Sequence, residues 1–287
     1  MSLVSSTEML RKARKEGYCV GAFNVHTLEM LQAVVEAAEE AQAPLILQTT
    51  VGTVGHLGPE YIAAIARVAA GSVRVPIALH LDHCHDYALI ERCIAAGYTS
   101  VMIDASMRPF EENVEQTKRV VELAHRAGVN VEAELGKVGG VEEELAVDEA
   151  DAVLADPAEC ERFAALTGVD TLAPAIGTAH GMYKGKPKIA FSRLEEIASR
   201  VGVPLVLHGG SGIPEEQVKR AVSLGMAKMN VATELRIAFS GAIRQVFGEN
   251  PDENDPRTYM KRAKQAVKAI AHAKMAMCGC AGKAAGL

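Results

Sequence analysis

A chain of 287 residues, 49% hydrophobic and 23% charged, can bury a large core, and one α/β barrel of about 250 residues accounts for most of it without a second domain. The net charge of −6, the missing tryptophan and the lack of a long basic block argue against a nucleic-acid surface. No run approaches the ~18 consecutive apolar residues of a membrane helix, and six scattered cysteines fit the reduced thiols of a cytoplasmic protein better than a disulfide framework.

The opening segment, MSLVSSTEMLRKARKEG, lacks the apolar centre of a signal peptide and reads as a polar-faced helix. From there, short β-branched runs alternate with amphipathic stretches. Eight runs read as strands: 19–24, 44–50, 76–83, 100–106, 130–136, 171–177, 204–210 and 227–233. Between them, segments such as LEMLQAVVEAAEEA and FEENVEQTKRVVELAHRA repeat apolar residues at helical spacing. Glycines 97, 128, 168, 202 and 225 stand where such helices end before the next strand. This alternation demands right-handed crossovers and a parallel sheet. Eight units predict one domain over 1–287, a closed (β/α)8 TIM barrel with an extra C-terminal helix over 255–277. That helix is expected to pack on a partner subunit or reach over a neighbouring rim. An open dinucleotide-binding sheet would show G-x-G-x-x-G after its first strand, and FNVHTLEM has no glycine. Two insertions, 139–153 and 180–191, follow strand ends and are expected on the functional rim as segments able to move.

His83, His180 and His208 stand at the ends of three apolar runs, 97 and 28 residues apart. A lone histidine there is more often a rim residue than a ligand. Three in matching positions favour one shared metal ion on the face where barrel strands end. Asp82 precedes His83; an ideal strand would send the two to opposite faces, whereas a turning rim lets both border one cavity. Asp86 suits a helix N-cap. Asp104 and Glu134 place charge in otherwise apolar strands, which calls for a metal or for an ion pair with a barrel-lining Lys or Arg. In HGGSG (208–212) and NVAT (230–233), small residues and backbone donors follow strands seven and eight, the usual phosphate position in such barrels. Lys228 and Lys137 offer a rival Schiff-base chemistry, but neither falls with the histidines. Glu142 and Glu143 follow Gly139-Gly140; loop charges are usually solvated, though this loop could turn one carboxylate inward.

Over essentially its whole length the sequence resembles the class II, metal-dependent ketose-bisphosphate aldolases. The most specific segments are ALHLDH, SVMIDAS, VEAELGKVGGVEE, APAIGTAHGMYKG, PLVLHGGSGIP and KMNVATEL. The resemblance implies a (β/α)8 fold and a cytoplasmic, homo-oligomeric (dimeric or tetrameric) lyase. Its reaction would be reversible cleavage of fructose or tagatose 1,6-bisphosphate to dihydroxyacetone phosphate and glyceraldehyde 3-phosphate. His83, His180 and His208 match the Zn2+ ligands, and Asp82 the acid/base at the C4 hydroxyl. Asp104 and Glu134 match carboxylates of a second or displaced divalent position. Glu142 matches a mobile-loop glutamate that moves a proton at the dihydroxyacetone carbon. Gly181, Gly209, Gly210, Ser211, Asn230 and Thr233, with Val231 and Ala232 of the same motif, match the dihydroxyacetone phosphate pocket, beside which many members bind Na+ or K+. Arg257, Lys261 and Arg262 are the candidates for the distal phosphate. Ala232 departs from the Asp or Asn of many fructose-specific members, so NVATEL points to the tagatose subgroup while HGGSG is shared with the fructose type. Aldol chemistry on another phosphorylated keto sugar or sugar acid is the nearest alternative. A metal-dependent hydrolase would not need the phosphate nest, and an idle binding barrel would not need Asp82 and three histidines.

Overall fold

The computed structural model describes residues 2–142, 145–147, 153–183 and 185–286, without the side chains of 141–142 and 145–147. Eight parallel strands close into a barrel: β1 (Val20–Asn24), β2 (Leu45–Thr50), β3 (Ile77–Cys84), β4 (Ser100–Ile103), β5 (Asn130–Leu135), β8 (Thr171–Pro174), β10 (Leu205–Leu207) and β11 (Met226–Val231). They coincide with the eight β-branched runs. The ring order is β1-β11-β10-β8-β5-β4-β3-β2, so β1 closes against β11 with Val20 opposite Lys228 and Phe23 opposite Val231. Three short strands lie outside the ring. β6 (Gly139–Glu142) and β7 (Leu145–Val147) pair antiparallel, and β6 also pairs in parallel with β9 (Ala179–His180). No apolar alternation marks them in the sequence.

The helices follow the expected amphipathic stretches. α1 (Ser6–Glu16) precedes the barrel, and Ser6 donates from its N–H and Oγ to Asn130 Oδ1 at the start of β5. α2 (Leu28–Ala41), α3 (Val51–Leu57) and α4 (Pro59–Ser72) follow β1 and β2. α5 (Tyr87–Ala96) starts at Asp86, whose side chain accepts from the Ala88 N–H as the N-cap reading requires. α6 (Phe110–Arg126), α7 (Pro157–Thr167), α8 (Phe191–Arg200), α9 (Glu215–Ser223) and α10 (Thr233–Glu249) continue the alternation.

The final helix, α11 (Pro256–Met277), packs on α2, α10 and β1 of its own chain. Sequence offered a partner subunit or a neighbouring rim for this helix; within its own chain one face is taken up intramolecularly. The reason is its apolar face: Ala263, Val267, Ala271 and Met275 are all fully buried. Lys264 and Lys268 add ion pairs of 2.6 Å to Glu36 and Glu40 of α2, and the Cys19 N–H donates to Cys278 O just past the helix. Periodicity reveals which face of a helix is apolar, but not what covers it.

Because α11 belongs to the core, Met275→Ala is expected to lower unfolding stability by about 2–5 kcal/mol, measured by urea unfolding. A loss below about 0.5 kcal/mol, the range of surface substitutions, would place the helix outside the cooperative core.

Candidate active site

The barrel brings the three histidines together at the strand ends. His83 ends β3, His208 follows β10, and His180 arrives on β9, not on the barrel strand β8 that precedes it. Ring centroids are 4.7 Å (His83–His208), 5.0 Å (His83–His180) and 5.9 Å (His180–His208) apart.

Asp82 and His83 are both buried although adjacent, and β3 breaks its regular alternation at this point. Its register against β4 shifts between Leu81 and Cys84, and His83 takes φ 44°. Left-handed backbone is uncommon for a residue other than glycine, and a bulge re-aims the side chain it carries.

His180 is set by close backbone approaches. A Cβ on Gly140 would lie 2.2 Å from His180 O, and one on Gly209 would lie 2.3 Å from Ala179 O. Both glycines also have positive φ, 98° and 68°. The β9 backbone therefore runs between two positions that accept only glycine. Tyr183 adds to this, its hydroxyl accepting from the Ala179 N–H and donating to Gly209 O, both at 3.0 Å.

Carboxylates hold two of the rings. Asp104 accepts from His83 Nδ1 at 2.8 Å. Burial would raise the Asp104 pKa, but hydrogen bonds from His83 and Ser106 hold it well below the usual carboxylate range. His208 meets Glu134 through Nδ1 at 2.8 Å and Glu132 through Nε2 at 3.0 Å. Burial lowers its pKa, but the two carboxylates outweigh that and raise it to about 9.

Glu132 in turn accepts from Lys228 Nζ at 3.0 and 2.8 Å, both partners being 1% exposed. Burial works to raise the Glu132 pKa; Lys228, with His80 and His208, keeps it well below normal. Burial, then Lys228, pushes His80 well below the usual imidazole range. Lys228 is thus a bound ammonium in an ion pair, unlike the free amine that a Schiff base requires.

Asp82 is fully buried, and three neutral amides from three other strands surround it. Asn24 Nδ2 and Gln48 Nε2 donate to Oδ2 at 3.0 Å each, and Asn230 Nδ2 to Oδ1 at 3.2 Å. Amides stabilise a carboxylate without adding a competing charge or proton.

The donor set suits a metal ion. Ligand atoms of His83, His180 and His208 lie within 4.8 Å of one another. Zn2+ binds imidazole nitrogen at roughly 2.0–2.1 Å, so its ligand atoms converge within about 4 Å, a small side-chain adjustment away. The carboxylate behind His83 is the usual orienting partner of a ligating imidazole. His83, Asp104 and Glu134 form a second group within the same distance.

Beside the histidines a small pocket is lined by His180, Gly181, Gly209, Gly210, Ser211, Asn230, Ala232, Thr233 and Arg236. Val231 lies in the wall of β11 with its side chain fully buried. Ser211 Oγ accepts from the N–H groups of Ala232 and Glu234 at 3.4 Å, and the Gly210 N–H donates to Asn230 O. Arg236 joins this lining although sequence reasoning passed over it; a cation on the first turn after NVATE was the available signal. Arg257 pairs with Asp255 and Arg262 with Glu249, each exposed, and Lys261 is exposed as well. None of the three lines this pocket. Glu142 ends β6, and its side chain, like all of Glu143, lies outside the described residues.

Residues 4–283 match the sequence profile of the family described as fructose-bisphosphate aldolase, class-II. The chain is 52% identical to the D-tagatose-1,6-bisphosphate aldolase subunit GatY of Klebsiella oxytoca, over 99% of this chain and 100% of that protein. Among solved structures, the YdjI aldolase of Escherichia coli K12 superposes with a TM-score of 0.86 at 35% identity, covering 98% of this chain and 99% of the other. A putative fructose-1,6-bisphosphate aldolase of Coccidioides immitis gives 0.87 at 31%, covering 96% of each chain.

The Glu132–Lys228 pair predicts its own test. Lys228→Met removes the ammonium that meets both oxygens of buried Glu132 and is expected to cost about 3–5 kcal/mol in denaturant unfolding. Adding Glu132→Gln should recover part of that loss; a double variant no more stable than the single one would deny the coupling.

Proposed function

The chain belongs to the class-II fructose-bisphosphate aldolase family, and from that premise we propose which of its residues carry the reversible aldol cleavage of a ketose 1,6-bisphosphate. The observation that bears most weight is the convergence of three histidines beside a buried carboxylate cradled by amides. His83, His180 and His208 are the ligands of the catalytic zinc. With Nδ1 of His83 engaged by Asp104, its Nε2 would be the atom offered to a metal. His208 carries a carboxylate on each ring nitrogen, so a metal held there would take the place of one of them; Glu132 is anchored by Lys228, so Glu134 would be the one to yield. Bound there, zinc supplies Lewis acidity toward substrate oxygens, on a scale set by its lowering of the pKa of bound water from ~16 to ~7, roughly 12 kcal/mol. Asp104 and Glu134 are also the candidates for a second divalent position.

Asp82 accepts the C4 hydroxyl proton during cleavage and returns it to the aldehyde oxygen during condensation. Asn24, Gln48 and Asn230 keep its carboxylate aimed. Gly181, Gly209, Gly210 and Ser211, with Asn230 and Thr233, bind the phosphate of the dihydroxyacetone half, through backbone N–H groups that make an anion nest. That local nest, with Na+ or K+ beside it as a further proposal, answers the net charge of −6, which would otherwise oppose a substrate bearing two phosphates. Glu142 is the candidate for proton exchange at the dihydroxyacetone carbon. NVATEL, together with the tagatose-type relative, favours tagatose 1,6-bisphosphate over its C4 epimer.

Triose phosphate release from both epimers tests the assignment. Activity is expected to vanish with a strong chelator, to return with Zn2+ and to show the higher kcat/KM on tagatose 1,6-bisphosphate. Full activity after metal removal, or a borohydride-trapped lysine adduct, would reject the zinc mechanism.

Asp82→Asn is expected to retain zinc and substrate binding while turnover falls ~100- to 10,000-fold. Loss of zinc with turnover per bound metal unchanged would reassign Asp82 to the metal site.

A further inference from the structure

Lys274 is buried, charged and unused by the cleavage described above. It shares the inner side of α11 with Ala263, Val267, Ala271 and Met275, where an aliphatic side chain would complete an apolar surface. An ammonium there carries a desolvation cost that only specific partners offset. Its partners are on the phosphate side of the rim. Nζ is 2.6 Å from Glu234 Oε2 and 3.5 Å from Gly210 O. Gly210 lines the pocket, and Glu234 follows Thr233, which also lines it. The Glu234 N–H reaches the same Ser211 Oγ that accepts from Ala232.

A carboxylate on the first turn of α10 stands in the wrong place for anion binding. It opposes a phosphate dianion directly and offsets the positive end of the helix dipole. We propose that Lys274 is the positioning residue of the phosphate pocket: it draws the Glu234 carboxylate against α11 and neutralises it, so that the N–H groups of the two rim loops present a net positive field to the substrate phosphate. The proposal rests on the phosphate reading of that pocket. Lys274 itself touches no substrate atom; it acts through Glu234 and the Gly210 carbonyl.

A mere staple between α11 and α10 predicts something different. Breaking a staple from either end does the same damage, whereas removing the two charges of a screened pair moves anion affinity in opposite directions. The test uses full-length, zinc-loaded protein in four forms: unchanged, Lys274→Met, Glu234→Gln and the double variant. The readouts are KM for dihydroxyacetone phosphate in condensation, kcat, and the calorimetric Kd of inorganic phosphate, which requires no turnover.

Lys274→Met is expected to raise KM and the phosphate Kd about tenfold with kcat within about threefold. Glu234→Gln is expected to lower both about two- to threefold, and the double variant to return within about threefold of the unchanged protein. An unchanged KM and Kd in Lys274→Met, or a Glu234→Gln that raises both, would overturn the proposal. Should Lys274→Met fail to fold, the direction of Glu234→Gln decides alone: a lower phosphate Kd supports screening, and a higher or unchanged one rejects it. A protein that shows the opposed phosphate shifts yet cleaves no ketose bisphosphate would refute the proposed function and leave the screening role standing.

Discussion

Glu132 is the charge around which the barrel interior is arranged. A lone carboxylate at the centre of a protein is untenable, so its two oxygens must be met from every side. Lys228 of β11 meets both, His208 beyond β10 meets one, and Thr171 of β8 reaches the other at 3.4 Å. His80 of β3 stands 4.0 Å away. One residue of β5 therefore engages four other strand positions around the ring. A slip of one residue in any of those strands would turn its partner outward and strand the charge. The polar hub thus specifies register, which an interior of interchangeable aliphatic side chains would leave less defined.

The same hub reaches the chemistry. His208 carries the orientation of the core to the rim, since one of its nitrogens is held by Glu132 while the other meets Glu134. Close to that hub, with ligand atoms of His80, Asp82 and Glu132 all within 4.8 Å of one another, Asp82 takes hydrogen bonds of a different kind. Amides of Asn24, Gln48 and Asn230 donate to it, and such donors hold a carboxylate in place without competing for its proton. Carboxylates orient the imidazoles of His83 and His208, and amides donate to Asp82. That division suits a site in which imidazoles bind a cation and a carboxylate transfers a proton. Rigid placement of this kind is what a barrel rim supplies, because each side chain stands on a strand whose own position is fixed by the core.

Much of the fold was legible because the eight strands are β-branched runs separated by long amphipathic segments. The histidines were legible because each stands where such a run ends. What escaped depended on arrangement. Asn24 and Gln48 look like stray polar residues inside apolar strands, and only the closed ring shows that both serve Asp82. Glu132 sits two residues before Glu134 and so shares its face of β5, a period-two signal that the attention to Glu134 obscured. The β6–β7–β9 sheet left no periodic trace, because its strands are only two to four residues long. The path of α11 was ambiguous for the opposite reason: its apolar face is plain, but a face alone does not name its neighbour.

The left-handed backbone at His83 has a further consequence. Asp82 and His83, the proposed proton-transfer group and one proposed metal ligand, are adjacent in the chain, so their α-carbons are separated by one peptide unit of about 3.8 Å. Loop breathing, domain motion and thermal expansion leave that separation unchanged, because it is covalent. The spacing of these two α-carbons is therefore the least adjustable dimension of the site. Substrate preference within such a framework must change through the parts that can move, the rim loops and the walls of the phosphate pocket, while Asp82 and His83 act as a ruler against which every sugar is measured.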